Sequence, residues 1–358
     1  MAKIDVLLPV KNGIEFLAEA IDSIQAQTFT DWRLLVLDHG STDGSREMAE
    51  RYGAADPRVQ VHSFPQAKGL SGLLNCGLDL CDCDYVVRHD ADDICFPDRF
   101  ALQLAAFARD PACVAIGGQS ELINAAGVHT ADQSVPVGRL RLQAACLFRN
   151  PVTHPTVMMD FAAVRRLGVR YGIDFIGVLP EAERIEVPAL VEDYFLFGQL
   201  AVLGKVDNVP DKLIRYRWHT SNVSVTRFAE QIDQSLMVSR YLARVFSLHY
   251  KVPYFDPAPF CSHGARFFDV DGRGNFDREY AAMAATLRRV LGDSDQLTRE
   301  LDYRWVASTR GELALLGRYW GFRLKHRPET GEWLSVRAWL LRALPRRASV
   351  RVAAEGAA

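Results

Sequence analysis

The densest group of potential ligands is Arg88-His89-Asp90-Ala91-Asp92-Asp93, where three carboxylates fall within four residues. Like charges held that close repel one another, so a closed loop built from them asks for a cation. Aspartate oxygens are hard ligands suited to Mg²⁺ or Mn²⁺, which keep open positions for phosphate oxygens. The apolar run Tyr85–Val87 precedes the acids and Ile94-Cys95-Phe96-Pro97-Asp98-Arg99 follows them. That context places the acids at the carboxyl end of a strand, where open α/β sheets bind ligands. A solvated acidic turn is the competing reading.

A second stretch, Leu37-Asp38-His39-Gly40-Ser41-Thr42-Asp43-Gly44-Ser45, follows another apolar run. Gly40 and Gly44 permit close backbone approach, Thr42 or Asp43 can cap the next helix, and Asp38 can accept hydrogen bonds from a base or ribose. Alone, the stretch also reads as an ordinary turn. After the first strand stands Pro9-Val10-Lys11-Asn12-Gly13, with no GxGxxG, and the chain has no GxxxxGK[ST]. Dinucleotide dehydrogenases and P-loop enzymes are therefore disfavoured. His154, within Asn150-Pro151-Val152-Thr153-His154-Pro155-Thr156, can face an acceptor sugar hydroxyl or lipid diphosphate, or can serve the fold. Glu192-Asp193 opens an apolar helix. A carboxylate there can take a proton at the rim of a dry pocket, or merely favour the helix dipole.

Positioning such groups requires a scaffold, and the N-terminal part of the chain alternates to provide one. The runs Ile4–Pro9, Leu34–Leu37, Val59–Val61 and Tyr85–Val87 predict short buried strands, with helices near Glu15–Ile24, Ser45–Tyr52 and Ser71–Leu80. Strand–helix alternation predicts an α/β fold with a mostly parallel sheet and helices on both faces. Val114–Ile116, Thr156–Met159 and Lys212–Trp218 predict further strands, and Leu190–Leu203 a helix. Beyond Thr226 the pattern turns helical, over Gln231–Tyr250, Glu279–Leu291 and Gln296–Tyr319. The expected division is a catalytic domain over 1–225, with halves meeting near residue 110, and a helical region over 226–358.

A length of 358 residues fits about two domains. With 49% hydrophobic and 24% charged residues, the chain is neither disordered nor collagen-like nor a disulfide scaffold. Forty-two basic residues against 44 acidic ones leave no field to recruit nucleic acid. Seven cysteines without a CxxC pair predict buried free thiols in a reducing compartment. No apolar run is long enough to span a bilayer, and the first strand is too short for a signal peptide, so a cytoplasmic protein is expected.

Taken in order, these motifs resemble the inverting glycosyltransferases of family 2, which have the GT-A fold. The resemblance rests on Leu7-Leu8-Pro9-Val10-Lys11-Asn12-Gly13, on Asp38 through Asp43, and on Gly69-Leu70-Ser71 with Asn75-Cys76-Gly77. It continues through Asp90 to Asp93, Pro97-Asp98-Arg99, Glu192-Asp193-Tyr194 and Tyr216-Arg217-Trp218-His219. Such a fold implies a Rossmann-like sheet and a nucleoside-diphosphate sugar donor, with UDP the commonest nucleotide. Donor positions implied by the match are Pro9, Val10, Lys11, Asp38, Asp90 and Ala91, with Asp38 on the base, and Lys68 is the candidate to replace the basic residue that the family has near the nucleotide and this chain lacks. Asp92 is implied as direct metal ligand, Asp90 as a ribose or metal-water contact, and His219 as a further contact to metal or diphosphate. Asp193 matches the general base, and His154, Glu192 and Asp93 fall to the acceptor side. The sequence departs from the family at His39, where a second acid is usual, and at Leu73-Leu74-Asn75, which lacks a basic residue.

The implied reaction moves a sugar to a glycan or lipid-linked acceptor, with Mn²⁺ or Mg²⁺ as cofactor. A sugar-phosphate nucleotidyltransferase is the alternative enzyme, although the first loop lacks a glycine-rich triphosphate cradle. A non-catalytic sugar-nucleotide scaffold is the alternative outside enzymology, but it would not need Asp90, Asp92, Asp93 and Asp193 together. The C-terminal stretch from Arg304 to Arg351 holds eleven Lys or Arg against Glu312, Glu329 and Glu332. Within it, Glu332–Leu344 predicts a helix with Trp333, Leu334, Val336, Trp339, Leu340, Leu341 and Leu344 on one arc. With Arg346-Arg347 behind it, this helix suits an anionic membrane surface, giving a peripheral location at the cytoplasmic face. Its alternative seats are the catalytic domain and a homodimer interface.

Overall fold

A computed structural model of the chain describes residues 3–187, 189–219, 227–261, 276–309 and 311–343. The N-terminal half of the sheet is built from β1 (Ile4–Val10), β2 (Trp32–Asp38), β3 (Val59–Ser63) and β4 (Tyr85–Arg88). All pairings among these four are parallel, in the order β3-β2-β1-β4. Crossovers run through α1 (Leu17–Gln25), α2 (Ser45–Ala55) and α3 (Gly69–Leu80). β1 is buried along its whole length, because helices cover both faces of a parallel sheet. Its side chains alternate: Val6 and Leu8 join Ile21, Leu34 and Val36 on one face, while Leu7 joins Leu35, Leu74 and Leu78 on the other.

Beyond β4 the sheet becomes mixed, continuing through β5 (Ile94–Cys95), β6 (Ala115–Ile123), β7 (His129–Gln133), β8 (Met158–Asp160) and β9 (Val206–Arg217). The order there is β4-β8-β6-β9-β5, with β7 on the side of β6. β6 and β9 pair in parallel, whereas β8 runs antiparallel to both β4 and β6. Helices α4 (Arg99–Arg109), α5 (Arg139–Ala145), α6 (Phe161–Leu167) and α7 (Glu192–Val202) complete this part. The α/β fold read from the sequence is the one observed. Two short strands, β5 and β7, escape periodicity because neither has an apolar run of useful length.

The later helices are α8 (Phe228–Tyr250), α9 (Asp277–Leu291), α10 (Asp295–Ala307), α11 (Glu312–Lys325) and α12 (Glu332–Ala343). The single helix predicted over Gln296–Tyr319 is two, α10 and α11. Ser308 and Thr309 hydroxyls donate back to the Trp305 carbonyl, and α11 begins after Gly311 at φ +92°. Side chains that compete for backbone acceptors interrupt a helix, and Gly311 serves as the cap from which α11 starts. The arc predicted for the last helix is also divided. Val336 and Trp339 are buried against Tyr303, Leu315, Tyr319 and Phe322, whereas Trp333 and Leu334 are exposed. The side chain of Leu341 and residues 344–351 lie outside the described residues.

A buried ionic network links this helical region to α5. Arg141 Nε donates to Glu300 at 3.1 Å and its Nη2 to Glu329 at 2.8 Å, while Arg304 Nε donates to Glu300 at 2.8 Å. Burial by itself would raise the Glu300 carboxyl, but Arg304, Arg141 and Arg149 outweigh it and hold it at about 2. All seven cysteines are free, with Cys76, Cys81 and Cys83 half-buried instead of sealed. Among the described residues no helix is long and apolar enough to cross a membrane.

Candidate active site

Three loops gather at the carboxyl ends of β1, β2 and β4. The β1 and β2 loops are zipped together: Asn12 N donates to Ser41 Oγ, Gly13 N to Ser45 Oγ, Ile14 N to Asp43 Oδ2 and Thr42 N to Asn12 Oδ1, all within 2.8–3.0 Å. A Cβ on Gly13 would lie 3.8 Å from that of Ala91, so the zipped pair abuts the acidic loop. Pro9 and Val10 are buried at the end of β1, and Lys11 is exposed beside them. Lys68 stands exposed just before α3.

Asp38 is turned into its own loop. It is buried; Oδ1 accepts from Ser41 N at 2.9 Å, and Oδ2 accepts from Gly40 N at 3.2 Å and Ser63 Oγ at 3.1 Å. Burial opposes its charge, yet these donors prevail and hold the carboxyl below its usual range. Asp38 therefore clamps the turn, and the half-buried neighbour His39 is the more open group. The Nε2–H of His39 donates to the Ala67 carbonyl at 2.9 Å, tying this turn to the segment before Lys68.

The acidic loop is held from below by two buried residues whose roles the sequence did not disclose. Arg99 Nη2 donates to the Arg88 carbonyl at 2.9 Å, and its Nη1 donates to His89 Nδ1 at 3.2 Å. His89 Nε2–H in turn donates to the Asp93 carbonyl at 3.2 Å. Burial, then Arg99 and Arg88, push the His89 imidazole well below its ordinary value, so it stays neutral. The Pro97-Asp98-Arg99 motif thus supplies a strut for the loop.

One carboxylate oxygen from each of Asp90, Asp92 and Asp93 lies within 4.8 Å of the others. Asp90 pairs with buried Arg88, and Asp92 Oδ2 lies 3.0 Å from His219 Nε2. Burial chiefly, with Asp92 and Asp90 adding, raises Asp93 well above the carboxylate range, and burial likewise raises Asp90. Asp93 was expected toward the acceptor, but its carboxylate is buried inside the cluster. Its Oδ1 accepts from Arg217 N at 2.8 Å, and its Oδ2 has no hydrogen-bond partner. A buried, unpartnered oxygen among clustered carboxylates is the donor chemistry that a hard divalent cation fits.

Arg217 ties the C-terminal end of β9 to this cluster. Its Nε donates to the Asp92 carbonyl at 2.8 Å and its Nη2 to Glu19 at 2.6 Å, with the guanidinium 4.5 Å from the Phe16 ring centre. The His219 ring lies 5.4 Å from the same phenylalanine. His219 is thereby held over the acids by packing as well as by Asp92.

Across the site, α7 opens with Glu192 and Asp193. Asp193 Oδ1 accepts from Tyr194 N at 2.6 Å, and Oδ2 accepts from Asn150 Nδ2 at 2.8 Å. Burial raises the Asp193 carboxyl; Tyr194 N, Arg88 and Asn150 draw it back. Glu192 is also pushed up, to about 8, by burial and then by the Asp193 charge. Of the two, Asp193 has the hydrogen bonds that favour the charged form. Asn150 escaped sequence reasoning as a partner of Asp193, since 43 positions separate them.

His154 lies packed within the fold. It is buried, its Nε2 shares a 2.9 Å hydrogen bond with the Tyr171 hydroxyl, and its ring sits edge-on to Phe197 at 5.6 Å. Burial, reinforced by Arg88, drives its imidazole well below the ordinary value. His154 opens the short turn before β8, and the surrounding aromatics enclose it. Arg88 itself acts electrostatically on Asp90, Glu192, Asp193 and Tyr171.

A mostly parallel sheet with loops gathered at its strand ends, an acid cluster and a second carboxylate pair is the layout of an α/β enzyme. The sequence profile described as Glycosyl transferase family 2 matches residues 5–167. An uncharacterized glycosyltransferase of Haemophilus influenzae is 31% identical over 248 residues, covering 68% of this chain and 84% of its own. The amylovoran biosynthesis glycosyltransferase AmsE of Erwinia amylovora is 26% identical over 232 residues, covering 64% of this chain and 81% of its own. Among solved structures, S. aureus TarS 1-349 matches with a TM-score of 0.49 at 15% identity, over 95% of this chain and 90% of that one. The chain belongs to glycosyltransferase family 2 and is a glycosyltransferase. That membership sets aside the nucleotidyltransferase and the non-catalytic scaffold.

Proposed function

We propose that this glycosyltransferase moves a sugar, with inversion, from a nucleoside-diphosphate sugar to a hydroxyl of a glycan or lipid-linked acceptor in polysaccharide assembly. The observation that carries the reading is the acid cluster after β4, where one carboxylate oxygen from each of Asp90, Asp92 and Asp93 lies within 4.8 Å of the others and Asp93 Oδ2 has no hydrogen-bond partner. A donor diphosphate at the acid cluster and an acceptor hydroxyl at Asp193 would belong to one reaction space.

In this reading Asp193 takes the proton of the acceptor hydroxyl as its oxygen attacks the anomeric carbon. The bond from that carbon to the diphosphate oxygen breaks on the opposite face, which inverts the configuration. A positioned base of this kind contributes about 10²–10⁴-fold. Asp90, Asp92 and His219 would hold Mn²⁺ or Mg²⁺, which when bound offsets charge on the departing diphosphate. Asp93 holds the loop from within through Arg217. Pro9, Val10 and Ala91 line the nucleotide side, and the exposed ammonium groups of Lys11 and Lys68 are available to the phosphates. AmsE, named for amylovoran biosynthesis, supports polysaccharide assembly as the context.

A panel of nucleoside-diphosphate sugars, UDP-sugars first, with Mn²⁺ tests the proposal by release of nucleoside diphosphate. The reading predicts release that chelation abolishes and that Asp92→Ala loses. Undiminished release after chelation would remove the metal from the scheme.

A further inference from the structure

Helix α11 is built backwards for a helix on a protein surface. Its inner side carries Leu315, Tyr319 and Phe322, which are buried in the small C-terminal core. At 100° per residue the outward side should then be polar. Instead Leu313, Gly317, Trp320, Gly321 and Leu324 fall on one outward arc with no charge among them. The three large members are 86%, 60% and 88% exposed, far more than a scattered surface leucine requires of its surroundings. Trp333 of α12 is stacked on Tyr319 with ring centres 5.6 Å apart, and exposed Leu334 follows it, so the apolar surface continues onto the second helix.

The charges beside this stripe are mostly basic. Arg323 and Lys325 stand to either side of the α11 arc, and Arg337 is exposed on α12. Of the nearby acids, Glu329 pairs with Arg141, Glu332 with Arg299, and Asp302 with His326 and the still exposed Lys325, while Glu312 is exposed at the start of α11. Arg346, Arg347 and Arg351 follow in the sequence. A second copy of the chain would bring the same cations face to face. A bilayer surface containing anionic lipid accepts leucine and tryptophan side chains at the headgroup boundary and pairs with flanking cations.

We propose that α11, with the outer side of α12, seats the enzyme on an anionic membrane surface. The seat differs from the one read in the sequence, because the Val336 and Trp339 side of α12 packs inward and Leu313, Trp320 and Leu324 of α11 provide the membrane face. Vesicle binding needs no turnover, so this inference stands or falls separately from the proposed reaction.

The test is flotation of the full chain with phosphatidylcholine vesicles, with and without phosphatidylglycerol, at low salt. The chain should float with the anionic vesicles only, with a blue shift of tryptophan emission. Trp320→Asp combined with Leu324→Asp should abolish flotation without lowering the melting temperature, since both side chains are exposed. Arg323→Glu combined with Lys325→Glu should weaken partitioning by roughly fivefold or more for each cation lost. The proposal is overturned if the wild-type chain stays unbound with anionic vesicles, or if both variants float like wild type. It is equally overturned if the wild-type chain is a dimer that Trp320→Asp with Leu324→Asp turns into a monomer.

Discussion

Asn150 donates its side-chain amide to Asp193 Oδ2 at 2.8 Å, joining the loop before His154 to the first turn of α7. That hydrogen bond favours the charged carboxylate against the burial that disfavours it. A general base works only when deprotonated, so activity falls as pH drops through its pKa. Removing a donor to the carboxylate raises that pKa. Asn150→Ala should therefore move the acid limb of the kcat/KM profile upward by about one pH unit, with activity recovered on the alkaline side. An unmoved limb would separate Asn150 from the base.

Glu192 gives the complementary test. Burial, followed by the neighbouring Asp193 charge, pushes its carboxyl up to about 8, so it is largely protonated near neutrality. The amide of Glu192→Gln imitates that neutral acid. Turnover at pH 7 should stay within about threefold of wild type, and an inflection near pH 8 should vanish. A large loss at neutrality would shift the proton-accepting role toward Glu192.

The Arg141–Glu300–Arg304 network predicts how acid unfolds the chain. The ordinary value of Glu300 is 4.5 and its folded value is about 2. A depressed carboxyl contributes stability that is complete above the unfolded value and is lost as pH falls through the folded one. The contribution is about 3 kcal/mol, lost between about pH 4.5 and 2. Glu300→Gln should remove the buried carboxylate that Arg141 and Arg304 share, cost about 3–5 kcal/mol at neutral pH, and flatten stability across that acid window. Denaturant melts from pH 7 to 2 check both parts, and an unchanged pH slope would contradict the assignment.

Much of the scaffold was legible because it is local. β1, β2, β3 and β4 announced themselves as apolar runs, and the loops after Pro9, Leu37 and Arg88 are where the site formed. What failed to show was which way each polar group turned once the chain closed. Asp38 and Asp93 lie within acid motifs, but backbone N–H groups of Gly40, Ser41 and Arg217 capture them as struts. His154 is sealed by Tyr171 and Phe197, which come from other elements. Arg141 and Glu300 are 159 positions apart, a distance no periodicity spans. The split between α10 and α11 was missed because apolar spacing continues through Ser308 and Thr309, whose hydroxyls turn back to end the helix.

The account turns on Asp193 acting as a base at a site that binds donor elsewhere. The most direct measurement pairs donor affinity by calorimetry with single-turnover transfer for Asp193→Asn, an amide that keeps the shape and cannot take the proton. The account predicts unchanged donor affinity in the presence of Mn²⁺ and turnover lower by roughly a hundredfold or more. Near-normal turnover, or a loss of donor binding equal to the loss of rate, would contradict it.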